Sequence, residues 1–419
     1  MKTFAMNILG CKVNDYEATV LKTKLLNNGY KEVSFKDVAD IYIIFTCCVT
    51  NTAESKTRKA IHHARNLNKD AYVVAVGCLV QIKGDSKDFE VADLIVGSKD
   101  KDKLFDLIDE NVKSKDVSPL NNKIDELYLE SYPGKSRAFL KVQDGCNQFC
   151  SYCIIPYARG REVSANHLKV IEQAKILAKT CKELVLVGIH TGRYNDGEFN
   201  LYDLLVELEK IDDLKTIRLS SIEITEISDE IINLVKNSKK IAHHFHIPVQ
   251  SANNEILSLM HRPYTIEEYI DRINYIRNEI EDVSISTDLI VGFPSETEEC
   301  FNDTLNNLKK ISFSFIHVFP YARKSKTVAD RLEGHINEKI KKERLKKVME
   351  IEKPITKSFI NKFIDKEVEV LIEKKDENYL YGYAKQYFYV TFIGEGEVGE
   401  VVKVKIDKIE EDKVLGHVS

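Results

Sequence analysis

Cys146-Asn-Gln-Phe-Cys150-Ser-Tyr-Cys153 decides how the rest of the chain is read. Three cysteines inside eight residues are too crowded for a disulfide framework. Soft thiolates at that density select zinc or an iron–sulfur cluster. A structural zinc site usually closes its tetrahedron with a fourth Cys or His at a regular spacing. Here the next His is His167 and the next Cys is Cys181. Three thiolates on a four-iron cluster leave one iron open, which a reacting centre needs and a structural one does not.

The C-x3-C-x2-C spacing, with no local fourth ligand, resembles that of the radical S-adenosylmethionine (SAM) enzymes. The resemblance implies a 4Fe-4S cluster on Cys146, Cys150 and Cys153. Its open iron is then expected to chelate SAM and reduce the sulfonium, releasing an adenosyl radical.

Working outward, 419 residues suffice for two or three domains with separate cores. The net charge of −5 excludes a chain that binds nucleic acid by its overall field, so any RNA surface is a local patch. The opening MKTFAMNILGCKVN has no long apolar run, and no stretch offers about 18 consecutive apolar residues. Neither an export signal nor a membrane span is expected. Nine cysteines then point to a reducing cytoplasm and to metal or redox roles.

Upstream, residues 3–9, 41–46 and 72–77 read as strands, with helical patterns over 15–27 and 52–68. Continuous apolar strands alternating with helices imply a parallel sheet buried on both faces. Ligands gather at the carboxyl ends of such strands, and Cys11, Cys47 and Cys78 each stand there, one per strand. They are three buried structural cysteines or the ligands of a second cluster. Cys48 competes with Cys47; neighbouring residues point oppositely at a strand end, and Cys47 is chosen.

GCKVNDYE (10–17), TCCVTN (46–51) and GC (77–78), followed by C-x3-C-x2-C, are similar to the methylthiotransferase family over essentially the whole chain. The Gly-Cys-Lys-Val-Asn run with Tyr-Glu is closest to its MtaB branch, which acts on N6-threonylcarbamoyladenosine in tRNA. The resemblance implies an N-terminal domain with a second 4Fe-4S cluster on Cys11, Cys47 and Cys78, a radical-SAM domain and a C-terminal TRAM domain that binds RNA. Phe45 stands where the family usually has Asn, which removes one amide beside the ligand.

Asp116 to Gly134, with Ser118-Pro119, Asn121-Asn122 and Pro133-Gly134, reads as a linker. Six further strands (138–142, 184–187, 216–219, 243–247, 285–291 and 315–319) alternate with helices and fit a partial (βα)6 barrel, with the cysteine loop at the carboxyl end of its first strand. By the same rule Gly188, Gln250 and Tyr321 are SAM-contact candidates, and a resemblance in the next segment adds Asp288 and Gly292. The segment Asp288-Leu-Ile-Val-Gly292-Phe-Pro-Ser-Glu296 resembles the adenine-side motif of radical-SAM enzymes. Turn glycines and a capping Gln250 are the plainer readings. Arg159 and Arg161 can bind SAM carboxylate or RNA phosphate, or form surface ion pairs. His244 and His246 share one strand face, with no third partner to make them a metal site.

From His335 to Lys366 a helical pattern carries ten basic and five acidic residues. From about Glu367 the pattern changes to short alternating strands, a small β-barrel of TRAM or OB type. Tyr379, Tyr381 and Tyr383 share a face there and either stack bases or pack the barrel. Residues 367–419 hold seven Lys and twelve acids, which favours stacking over phosphate clamping. Upstream, Lys56, Arg58 and Lys59 on the helix after Cys47 are either phosphate contacts or a solvated face.

The whole is an α/β chain with an N-terminal methylthiotransferase domain (1–115), a linker (116–136), a radical-SAM domain with a trailing basic helix (137–355) and a TRAM-like domain (356–419). The function implied is methylthiolation of C2 of N6-threonylcarbamoyladenosine at position 37 of tRNA. Isopentenyladenosine or a ribosomal protein is the alternative target, and a non-catalytic iron–sulfur RNA-binding protein the alternative class. The partners implied are the tRNA anticodon stem-loop, an external electron donor and a sulfur source. A cytoplasmic monomer is expected.

Overall fold

Ile41–Thr46 and Tyr72–Gly77 are buried at every residue, as strands covered on both faces must be. The structure, a computed structural model, describes all residues except Met1, Asp116, Pro133, Gly134 and Glu198. The two central strands belong to a five-stranded sheet whose order is 31–32, 3–8, 41–46, 72–77 and 94–96, parallel throughout. Side chains alternate across it. Ile41, Ile43, Phe45, Val74 and Val76 meet Ala18, Leu21 and Leu25 of the helix Lys12–Asn27. Tyr42, Ile44, Val73 and Ala75 meet Ala60, Ile61 and Ala64 of the helix Asn51–Leu67 on the other face.

The helix Lys12–Asn27 starts three residues earlier than its sequence pattern suggests, directly after Cys11. It also packs on the strand Arg137–Lys141, and its Tyr16 and Val20 enter the core of the next domain. That domain holds six parallel strands in two three-stranded sheets. One runs in the order 216–219, 183–187, 137–141, and the other 244–246, 284–291, 315–320. Isolated bridges Ile217–Ile241 and Ser221–His246 join them into one open barrel.

The segment between these domains is no free tether. Leu129 and Tyr132, at 0% and 3% exposure, are packed into the large core, and the Tyr16 hydroxyl lies 2.9 Å from Leu127 O. The expected Asp116 and Pro133-Gly134 positions lie outside the described residues. The domain boundary expected at 355/356 falls inside one 24-residue helix, Glu338–Asn361, which contains Pro354. This helix carries Val348 into the barrel core and Phe359 and Ile360 into the terminal one.

The terminal strands Glu367–Lys375, Leu380–Ala384, Tyr389–Ile393, Val401–Glu410 and Lys413–Val418 close into a barrel. Closure removes the sheet edges. It docks at the start of the first open-barrel strand. Ser136 Oγ donates to Ile372 O at 2.9 Å, and Arg137 Nη2 pairs with Glu373 at 2.7 Å. Among the described residues no helix is long and apolar enough to cross a membrane.

Candidate active site

The loop bearing Cys146, Cys150 and Cys153 leaves the first open-barrel strand and closes on its own far end. Cys146 N donates to Gly160 O at 3.1 Å. Gly145 sits at φ +72, where an added Cβ would lie 2.0 Å from Arg161 O. Only glycine allows that approach. Phe149, between the first two cysteines, is held at φ +51, a costly conformation for a bulky residue. The Arg161 guanidinium 4.5 Å over its ring and Tyr157 at 6.2 Å brace it. Ser151 Oγ donates to Leu259 O at 2.6 Å, and Ala329 N donates to Ser151 O at 2.8 Å, so distant loops fix the middle of the turn.

Donors surround the sulfurs, as thiolates require. Gln148 N donates to Cys146 Sγ at 3.4 Å, with His190 Nδ1 at 3.5 Å from the same sulfur. Arg262 Nη1 donates to Cys150 Sγ at 3.5 Å and to Glu223 Oε1 at 3.1 Å. Cys146, Glu162 and His190 bring their ligand atoms within 4.8 Å of one another. Carboxylates of Glu162 and Glu226 flank the imidazole, so this group is read as hydrogen-bonded support for Cys146. All three cysteines are free thiols, and the set fits a cluster with an open position.

Cys11, Cys47 and Cys78 follow three adjacent strands, with Thr46 registered against Gly77 and Ile8 against Phe45. Gly10, at φ +109, makes room for the second of them: an added Cβ would lie 2.9 Å from Cys47 Cβ and 3.1 Å from its Sγ. Cys47 Sγ therefore faces the Cys11 loop. Cys48 turns into the apolar cluster with Ile61, Leu79 and Ala158. Its thiol also contacts Cys78, whose pKa falls below the ordinary thiol range through that contact and, against the opposing effect of burial, the charge of Arg159. Phe45, which replaces the family's amide, is wholly buried in the sheet core.

Asn14 ties two of these loops together, its Nδ2 donating to Leu9 O at 2.7 Å and Thr46 O at 3.0 Å. Its Oδ1 accepts from Arg159 Nη2 at 2.8 Å. The structure corrects the expectation for Arg159 of an RNA phosphate, a SAM carboxylate or a surface ion pair, because the side chain is buried. It is 0% exposed, with Nη1 2.9 Å from Glu17 and 3.1 Å from Asp144. Lys141 also pairs with both acids, at 2.8 and 2.7 Å, and Lys101 with Glu17 at 3.0 Å. Burial raises both carboxyls, but these cations outweigh it and hold Glu17 and Asp144 well below the usual carboxylate range. A buried charge survives only when paired in this way.

A cavity of about 220 Å³ abuts Cys153, lined by Val49, Thr50, Ile154, Gln250, Asp288, Ile290, Phe319 and Tyr321 among others. Gln250 holds φ +62, pinned by its N donating to Asp288 O at 2.9 Å and its O accepting from Ile290 N at 2.8 Å. Such strain is characteristic of binding sites. Thus Gln250, Asp288 and Tyr321 come together beside the cysteine loop. Gly188 and Gly292 line no part of this cavity. An added Cβ at Gly188 would meet Gln143 at 3.0 Å, and one at Gly292 would meet Lys341 at 2.4 Å. Their small size serves protein packing. A larger cleft, about 430 Å³, runs under residues 124–128 and away from both cysteine sets.

Of the basic residues, Lys56 and Lys59 are exposed, while Arg58 is partly drawn to Asp88 at 3.6 Å. Arg161 is exposed above Phe149. Tyr379 is 44% exposed and lies 6.3 Å from Tyr381, which stacks on Tyr389 at 6.4 Å. Tyr383 instead packs against Arg137 at the domain junction. The roles of Asn14, Glu17, Asp144, His190 and Arg262 carry no local signal. Asn14 and Glu17 at least lie within the Gly10–Glu17 motif.

Comparison with known proteins agrees with this anatomy. Residues 140–308 match the family described as the radical SAM superfamily, and residues 3–97 match "Uncharacterized protein family UPF0004". The chain is 37% identical to the threonylcarbamoyladenosine tRNA methylthiotransferase MtaB of Bacillus subtilis (strain 168), across 97% of this chain and 94% of that protein. It is 40% identical to the protein of the same name from Aquifex aeolicus (strain VF5), across 96% and 99%. In fold it is similar to the radical S-adenosylmethionine methyltransferase TsrM from Kitasatospora setae, with a TM-score of 0.58 at 15% identity, over 78% of this chain and 76% of that one. Identity of this order over the full length carries more than shared fold: the chain belongs to the radical SAM methylthiotransferase family.

Proposed function

We propose that this chain is a sulfur-inserting transferase that adds a methylthio group to C2 of N6-threonylcarbamoyladenosine at position 37 of tRNA. One observation carries the reading: two sets of three cysteines stand at the carboxyl ends of two parallel sheets, and a buried arginine six residues after Cys153 donates to Cys78 of the other set. Adenine C2 carries no acidic proton, so acid–base catalysis cannot activate it. When bound, a 4Fe-4S cluster on Cys146, Cys150 and Cys153 would supply an adenosyl radical from one SAM, and a second on Cys11, Cys47 and Cys78 would supply sulfur, with a further SAM as the methyl donor.

The chain's own residues bind and orient. Gln148 N–H, His190 and Arg262 stabilise the thiolates of the first set, and Arg159 and Asn14 hold the second. Gln250, Asp288 and Tyr321 hold SAM beside Cys153. Lys56, Lys59, Arg161, Tyr379 and Tyr381 hold the anticodon stem-loop, the lysines and arginine by charge and the tyrosines by stacking. The domains run 1–115, 137–355 and 356–419, in a cytoplasmic monomer that draws electrons and sulfur from outside.

Mass spectrometry of tRNA nucleosides from cells lacking the gene tests the reading. The methylthio derivative of N6-threonylcarbamoyladenosine disappears and its precursor accumulates. Loss of a methylthio isopentenyladenosine instead moves the substrate. Absence of 5′-deoxyadenosine from the reduced, SAM-fed protein makes it a binding protein.

A further inference from the structure

The first residue after Cys11 places a basic side chain inside the open barrel with no carboxylate within ion-pair distance among the described residues. Lys12 Nζ lies 5.7 Å from the Tyr387 ring centroid, and among the described residues it makes neither a hydrogen bond nor an ion pair. Two further cations share that ring, Arg218 at 4.8 Å and Arg137 at 5.7 Å. Both are committed. Arg218 Nε pairs with Glu183 at 2.9 Å, and its Nη1 donates to Lys385 O at 2.8 Å. Arg137 reaches Glu183 at 3.4 Å and Glu373 at 2.7 Å. Three basic side chains therefore meet two carboxylates, and Lys12 is the one left without a carboxylate partner, burial holding its pKa below the ordinary lysine range.

The neighbouring groups supply no such partner. His244 stacks 4.8 Å from Tyr387, and burial, then the charge of Arg218, hold it well below the usual histidine range. Its Nε2 meets Ser286 Oγ at 3.1 Å. Asp288 lies 3.3 Å from His246, on the same strand faces. His246 lies 5.8 Å from the exposed His317. These residues alternate along their strands towards Asp288 and Phe319, which line the cavity beside Cys153. A base held near the two cysteine sets can thus extend a substituent past His246 and His317 towards Lys12.

We propose that Lys12 and the Tyr387 ring form a carboxylate subsite that receives the threonyl carboxylate of the modified adenosine. This rests on the function proposed above. Threonine joined through its amino group to a carbamoyl keeps a free carboxylate, which an isopentenyl group lacks. A lone ammonium in a partly desolvated site attracts that anion and gains nothing from a neutral chain. Lys12 thereby sets substrate preference.

The test uses anticodon stem-loops bearing N6-threonylcarbamoyladenosine, its threonyl methyl ester or N6-isopentenyladenosine. Binding is read by fluorescence anisotropy on the full chain without clusters, and methylthiolation on the reconstituted enzyme. Wild type binds the carboxylate RNA more tightly than the ester by about 10- to 100-fold, the worth of one charge-assisted hydrogen bond. In Lys12→Gln that ratio falls towards one, and in Lys12→Arg it is largely kept. An undiminished ratio in Lys12→Gln overturns the subsite, as does a wild type that binds acid and ester alike. Circular dichroism and the Lys12→Arg variant exclude a folding defect. Wild type that methylthiolates only the isopentenyl RNA overturns the proposed function, an outcome separate from any change in the acid-to-ester ratio.

Discussion

Arg159, six residues beyond the last cysteine of its loop, donates its Nε–H to Cys78 Sγ at 3.2 Å across the interface between the two cysteine-bearing domains. The same guanidinium binds Glu17 and Asp144, one acid from each domain. The two candidate cluster sites are thus joined by one rigid, fully buried fork. Lysine cannot reproduce it, having one nitrogen where three are used.

Arg159→Met should therefore destabilise the protein by about 3 kcal/mol. Breaking a buried pair usually costs about 3–5 kcal/mol, and the lower end applies because Lys141 and Lys101 still neutralise Glu17 and Asp144. Chemical unfolding followed by circular dichroism measures it. Arg159→Lys should recover less than half of the loss. A melting curve that overlays wild type would remove the fork from the stability argument.

The two cysteine sets should separate functionally. Cys150→Ala should abolish 5′-deoxyadenosine formation while keeping roughly half the iron, if the clusters have equal complements. Cys78→Ala should keep 5′-deoxyadenosine and lose methylthiolation. Cys48→Ala should retain both activities, because Cys47 Sγ lies against Gly10 and the Cys11 loop while the Cys48 thiol serves only as a hydrogen-bond donor to Cys78. Loss of iron in Cys48→Ala but not in Cys47→Ala would exchange their roles.

Two glycines should show the same separation through the backbone. Gly10→Ala forces a side chain onto φ +109 and against Cys47, while Gly145→Ala forces one onto φ +72 and into Arg161 O. Each costs about 1–3 kcal/mol in conformation alone, and the second costs more because a carbonyl cannot move aside. Gly10→Ala should lose iron from the Cys11 set with 5′-deoxyadenosine formation retained. Gly145→Ala should do the reverse. Equal losses of both in either variant would mean that the sites load as one unit.

Cys47 and Cys78 were legible because each closes an apolar run too continuous to be anything but a doubly covered strand, and Cys11 because it follows a third strand of the same series. Position alone left them as structural cysteines or ligands, and the Gly10–Glu17 motif favoured ligands. Arg159 was not legible: in Tyr-Ala-Arg-Gly-Arg, two arginines two apart look alike. Only the fold sends one into a buried acid pair and leaves the other exposed on Phe149. Gly188 and Gly292 are ambiguous for a related reason, since a strand-end glycine can make room for a ligand or for a neighbouring side chain. Lys12 was hidden in plain view. Its motif was read for Cys11, but the helix starts one turn early and aims the next side chain at a ring 375 residues away.

The helix Asn51–Leu67 begins four residues after Cys47, with Thr50 capping it and lining the cavity beside Cys153. Its exposed cations are therefore near where a bound base must enter. Lys56 and Lys59 are exposed, whereas Arg58 shares its charge with Asp88, and Arg65 is spent on backbone carbonyls and Asp93 at 2.6 Å. Each phosphate contact removed should lower the salt slope of binding by about 0.7–0.9 log units per log unit of salt. A Lys56→Ala, Lys59→Ala double variant should thus flatten the slope nearly as much as the triple variant that adds Arg58→Ala. Anisotropy titrations of an anticodon stem-loop between low and moderate salt measure this, with 5′-deoxyadenosine formation as the control for an intact SAM site. A slope unchanged in the double variant would make this helix a solvated face, and an equal further drop on adding Arg58→Ala would mean that Asp88 does not hold that arginine back.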